Sequence, residues 1–160
     1  ILTEIPYKKK LRHYLEIENL EIMMVFDLHG ASNSTFNNAG LGREDIWGID
    51  FETGEGKSLK SDYGVCIPEI GEHIYRKYNI LASQDVIYTG FENEEQRTVI
   101  EFISEKLNRD LDSIQAEIKK EFRGCDGSND EKAKYYNFIM ATAEFINTMN
   151  YIYNSEIVTP

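Results

Sequence analysis

The sequence predicts an α+β domain: an antiparallel sheet of three or four strands, mostly from the N-terminal half, packed on a helical C-terminal half. Three observations carry that expectation. Apolar residues alternate with others from Leu20 to Leu28, the period of a strand. A glycine-rich turn, TGEGK, separates two segments of strand character. Residues 128–153 then place apolar side chains at helical spacing over more than half of the circumference, which marks a long final helix, largely buried.

Residues 1–7 read as a flexible leader of a single domain spanning 1–160. Pro6 suits the first turn of a short helix that Lys8 to Ile17 continues. Leu20, Ile22, Met24, Phe26 and Leu28 then make the clearest strand, ending in DLHG. The polar stretch that follows, over 31–43, has no core-forming period and reads as a loop. Next comes an expected β-hairpin, DIWGIDF and SLKSDYGVCI, with Gly56 in the left-handed position of its turn. In that register Phe51 faces Leu59, Trp47 faces Tyr63 and Asp50 faces Lys60. Aromatic residues then share one face and charges the other.

Pro68 opens a helix, PEIGEHIYRKY, with Ile70, Ile74 and Tyr78 inward and Asn79 closing it. QDVIYTGF reads as a fourth strand. Asn93 caps another helix, through about Leu107, with Val99, Ile100, Ile103 and Leu107 as its buried stripe. Leu111, Ile114, Ile118 and Phe122 recur at helical spacing, and a further amphipathic helix is expected there. Ser128 with Glu131 is a capping box, so the final helix starts at that point. Along it Tyr135, Phe138, Ile139, Thr142, Ile146, Met149 and Tyr153 form a stripe that reads first as core.

The chain has 160 residues, 41% hydrophobic and 28% charged, with a formal net charge of −11. Residues 21–74 carry −7 of that total. Such acidity excludes a protein that wraps duplex nucleic acid, which needs basic patches to displace counterions. No apolar run is long enough for a membrane span, and a cytoplasmic location is expected. Cys66 and Cys125 form no C-x-x-C pair and read as reduced thiols.

VFDLHG, Val25 to Gly30, resembles the opening motif of the binuclear metallophosphoesterases, in which the aspartate and histidine are metal ligands. The resemblance implies a metal-dependent phosphohydrolase with Asp27 and His29 as ligands and the polar loop as a lid. Two residues apart on an extended chain, they point the same way, as shared ligands must. The resemblance covers six residues; the family's Gly-Asp pair and Gly-Asn-His segment are absent. CDGSNDE begins like a calcium loop, but Glu131 stands where that loop needs glycine.

On the hairpin register Asp50, Glu52 and Asp62 share the outward sheet face, with Glu44, Asp45 and Glu55 nearby. These six residues are the expected partner-binding site. Ten tyrosines favour an interface as well. The leading expectation is therefore a non-enzymatic, cofactor-free protein that binds a basic partner. By analogy of size and charge, it matches inhibitor or immunity proteins, including phage-borne DNA mimics, that neutralise nucleases or other nucleic-acid-binding enzymes. Two alternatives remain: the phosphohydrolase, and an assembly subunit oligomerising through its helical half, which requires exposed apolar residues among Tyr135 to Tyr153.

Overall fold

The computed structural model describes residues 9–10, 12–14, 24–42, 46–88, 100, 103, 111–124 and 127–155. Its elements in chain order are β1 (Met24–Ala31), α1 (Asn33–Asn38), β2 (Trp47–Glu52), a 3-10 turn (Gly64–Cys66), α2 (Ile67–Lys77), β3 (Leu81–Gln84), β4 (Asp112–Lys119), a second 3-10 turn (Lys120–Arg123) and α3 (Asn129–Ser155). The class is α+β, a four-stranded sheet with a long C-terminal helix packed on it. The strand order is β1-β4-β2-β3. The sheet is mixed: β1 runs parallel to β4 and β2 parallel to β3, while β2 and β4 are antiparallel.

The expected hairpin does not form. Where Leu59 was to face Phe51, Ala116 of β4 does so, and Glu117 takes the place of Lys60 opposite Asp50. The left-handed turn is present, with φ of +63° at Gly54, +56° at Glu55 and +85° at Gly56. Asp85, itself at φ +50°, holds that turn by accepting from Thr53 N (2.7 Å), Thr53 Oγ1 (2.6 Å) and Glu55 N (3.1 Å). The chain beyond it is drawn to the start of β4 instead: Ser58 Oγ donates to Ser113 O at 2.6 Å, and Ser61 N donates to Asp112 Oδ1 at 2.9 Å.

Two further elements differ from expectation. Residues 112–119 form the central strand β4 rather than a helix, because Ile114, Ala116 and Ile118 alternate with Ser113, Gln115 and Glu117 as well as fitting a helical stripe. The third strand is Leu81–Gln84, ending where the expected QDVIYTGF strand was to begin; the Asp85 turn bends the chain there, and residues 89–91 lie outside the described residues. In the expected 31–43 loop, Ser32 caps the short helix α1 by accepting from Thr35 N at 3.1 Å, and Phe36 anchors it fully buried. The leader, residues 20–23 of the first strand and most of the 93–107 helix lie outside the described residues. Ile100 and Ile103 of that stripe are fully buried.

One face of the sheet carries the main core. Ile49 and Phe51 of β2, Ile114, Ala116 and Ile118 of β4 and Ala82 of β3 meet Ile74 and Tyr75 of α2 and Phe138, Ala141, Phe145 and Met149 of α3. Burying each large side chain contributes roughly 2–3 kcal/mol. Helix α2 begins with Pro68 in its first turn, and Asn79, at φ +59°, follows its end as expected. It provides the crossover that parallel β2 and β3 need. Trp47 does not share the face of Phe51. An irregular register between Trp47 and Ile49 turns it towards a small cluster with Ala31, Phe36 and Leu41.

Helix α3 starts after Ser128, whose Oγ accepts from Glu131 N at 3.2 Å. It is not enclosed all round. Phe138, Ala141, Thr142, Phe145, Met149 and Tyr153 are buried, whereas Tyr135, Tyr136, Ile139, Met140, Ile146 and Tyr151 are exposed. A single sheet layer covers one side of a helix, and α2 lies beside α3 rather than over it.

Candidate functional site

The opposite face of the sheet is polar, because strand side chains alternate between faces. Pairing across three strands aligns two rows on it. One row runs Asp27, Gln115, Glu52; the next runs His29, Glu117, Asp50 and on to Ser83 of β3. The two rows together hold four carboxyl groups and one imidazole. Burial is deep at the centre: Asp50 and Glu52 are 0% exposed, Gln115 4% and Glu117 7%. His29 marks the open end, its side chain 47% exposed.

Glu52 Oε2 accepts from Gln115 Nε2 at 2.5 Å. Asp50 accepts from Ser83 Oγ at 2.6 Å and from the amides of Val86 (3.2 Å) and Ile87 (2.8 Å). At the open end His29 Nε2 lies 2.8 Å from Asp27 Oδ2, and its Nδ1 lies 3.9 Å from Glu117. Lys119, on the same face and 2% exposed, pairs with Glu121 at 2.7 Å and not with these acids.

The electrostatics follow from that arrangement. Burial, then the charges of Glu117 and Asp50, push the Glu52 carboxyl up to about 9. Burial also raises Asp50 against the pull of Ser83 and two amides, and raises Glu117 against the pull of His29. The hydrogen bond to Asp27 raises His29, which favours the imidazolium. Three oxygen atoms on this face are buried without a hydrogen-bond partner: Glu52 Oε1, Ser113 Oγ and Gln115 Oε1. Among the described residues, no group of three or more His, Cys, Asp or Glu side chains is placed to hold a metal ion.

Comparison with protein-family models, curated proteins and solved structures finds no match. The site is therefore described by its own geometry.

The six expected partner-binding acids do not form one outward surface. Asp50 and Glu52 are enclosed, whereas Glu55 and Asp62 are exposed in the 53–63 excursion. Glu44 and Asp45 lie outside the described residues. The physical reason is strand assignment: with β4 beside β2, the face expected to be solvated becomes a central, covered part of the sheet. Asp27 and His29 do point the same way, as expected, but they contact each other. Gln115, Glu117 and Ser113 escape sequence reasoning because they sit in a segment read as helix. Period-two alternation through SIQAEIK was the signal that could have found them. Cys66 is exposed in the 3-10 turn.

A second surface is apolar. On the outer arc of α3, Ile139, Ala143 and Ile146 run along the centre line, with Tyr136, Met140, Asn147 and Tyr151 beside them, as three- and four-residue spacing dictates. Tyr136 is 64% exposed, Ile146 51% and Tyr151 75%. Two open hollows of about 440 and 350 Å³ adjoin at Glu144 and Thr148, making a groove along the seam of α2 and α3. Among the described residues, no helix is long and apolar enough to cross a membrane.

Proposed function

We propose that this chain is an assembly subunit that docks a second copy of itself through the outer face of α3. The exposed strip of Tyr136, Ile139, Met140, Ile146 and Tyr151 carries that reading. Single exposed apolar residues are ordinary; a contiguous strip of them marks a contact surface.

Charge selects the occupant. A two-fold contact sets a patch against itself, so any charge near its axis meets its own kind. The chain carries −11, yet from Tyr135 to Ser155 the helix has one charged residue, Glu144. That carboxylate is held by Lys77 Nζ at 2.6 Å and Tyr78 Oη at 2.8 Å. Self-association of so acidic a chain is least opposed where charge is missing, and this strip is such a place. Ala143, small and central, lets a second helix approach closely, and the groove beside it receives the flanking side chains.

The inhibitor reading has less support, since two of its six acids are buried. Sedimentation equilibrium separates the two. Wild-type chain is expected to sediment as a dimer, and Ile146→Glu as a monomer with unchanged circular dichroism. A wild-type monomer at every concentration that binds a basic protein, equally well with Ile146→Glu, would transfer support to the inhibitor reading.

A further inference from the structure

The apolar strip of α3 is long and narrow, and its length limits how a second copy can lie on it. Tyr136 to Tyr151 spans about 22 Å at about 1.5 Å per residue. A steep helix crossing covers only the turns beside the crossing point, whereas a shallow one of about 20° covers the whole strip. Two docked copies of α3 therefore run nearly along each other, either parallel or antiparallel. The C-terminal end of the helix chooses between these. Its last turn holds no basic residue, and the EIVTP segment after it adds none. Carbonyls there meet neutral donors: Asn154 Nδ2 donates to Asn150 O at 2.7 Å, and Ser155 Oγ donates to Tyr151 O at 2.7 Å. Asn154 Nδ2 also donates to Asn150 Oδ1 at 2.9 Å, which leaves the amide oxygen of this exposed residue as an acceptor. The negative end of the helix dipole thus lacks the cation that stabilises it.

Lys132 is placed to supply that cation from a second copy. It is exposed, whereas Lys134 is engaged with Glu121 and Asp130. Lys132 and Asn154 lie eleven residues before and after Ala143, close to three full turns each way, so both stand near the centre line of the strip. Resting on the self-docking proposed above, we infer that the two copies lie antiparallel along α3, each Lys132 set against the partner's Asn154 and the carbonyls beside it. The end of α3 is then completed by a residue that only the other copy contributes. A two-fold axis at Ala143 sets positions equally far from it opposite each other: Ile139 faces the partner's Asn147, Met140 the partner's Ile146 and Tyr136 the partner's Asn150. A parallel contact would bring Lys132 beside its own copy and leave both C-terminal ends without a cation.

Disulfide mapping reads the direction. Full-length Ile139→Cys and Asn147→Cys chains, each also carrying Cys66→Ser and Cys125→Ser, are mixed under reducing conditions with one of them isotope-labelled, then mildly oxidised. The expected product is the mixed dimer, with neither chain linking to its own kind, because only facing positions come within disulfide reach. Links within each kind in place of the mixed one mean a parallel contact and overturn the inference. No link at all, while wild-type chain sediments as a dimer, also overturns it and leaves the assembly reading standing. A wild-type monomer removes both. In the same sedimentation assay Lys132→Glu is expected to raise the dimer dissociation constant about tenfold, and adding Asn154→Lys is expected to restore it. A Lys132→Glu chain that dimerises as wild type does, or a double variant no better than the single one, overturns the Lys132 contact.

Discussion

Tyr153, in the last full turn of α3, donates its hydroxyl to the carboxylate of Asp112, the first residue of β4. Asp112 also accepts from the amides of Lys60 and Ser61 and from Ser61 Oγ. One buried carboxylate therefore ties the end of the chain's longest helix to the central strand and to the excursion that follows β2. Tyr153→Phe removes one donor and leaves the others in place, with an expected loss of about 1 kcal/mol. Asp112→Ala orphans several donors at once and is expected to cost about 3 kcal/mol or more. Urea unfolding of both variants checks the order. An Asp112→Ala protein as stable as Tyr153→Phe would show that the tie is incidental.

Gly71 in α2 faces the same core. A Cβ there would lie 2.7 Å from two ring atoms of Phe51, whose ring is flanked by Tyr75 and Phe145. Alanine is worth up to about 1 kcal/mol over glycine in a helix interior, whereas overpacking a filled core costs about 1–3 kcal/mol. Overpacking wins here because the aromatic neighbours leave no direction for the ring to yield. Gly71→Ala is expected to lower the urea midpoint; a raised midpoint would mean that the ring shifts freely.

Acid–base linkage gives a third expectation. The folded Glu52 carboxyl, near 9, lies above its free value of 4.5. Between those values the folded chain holds a proton that the unfolded chain has lost, so stability falls as pH rises. The contribution is complete below about pH 4.5 and lost as pH climbs through 9. Asp50, Glu117 and His29 are also raised and act in the same sense. In chelator, urea unfolding is expected to show a decline on the order of 2 kcal/mol from pH 5 to pH 9, flattened in Glu52→Gln. Stability that rises over this range in wild type would contradict the buried position of Glu52.

The first strand, α2 and α3 were legible because each declares itself locally: alternation through Met24 to Leu28, proline in a first turn, and a Ser128 cap followed by a long periodic run. The sheet's pairing was not. A turn with the right glycines was present at Gly54 to Gly56, but the segment after it is held by Ser113 and Asp112, residues more than fifty positions away. No local pattern encodes that attachment. In and around β4, Leu111, Ile114, Ile118 and Phe122 fit a helical stripe, while the strand reading depended on Ala116, an apolar residue too small to stand out. That one reassignment moved Asp50 and Glu52 from a solvated face to a covered one, and it brought Gln115 and Glu117 beside them. The outward face of α3 was legible in part: its apolar residues were plain, but only the fold reveals which side the sheet leaves uncovered.

The assembly contact centres on the Ala143 turn of α3, and a cysteine placed there reports on it directly. In a chain carrying Cys66→Ser and Cys125→Ser, Ala143→Cys is expected to form a disulfide-linked dimer under mild oxidation, because the two-fold axis brings equivalent turns within disulfide reach. Ser155→Cys, three helical turns away, is expected to stay unlinked. Ala143→Cys chains that remain unlinked, or that link no faster than Ser155→Cys chains, would contradict the account.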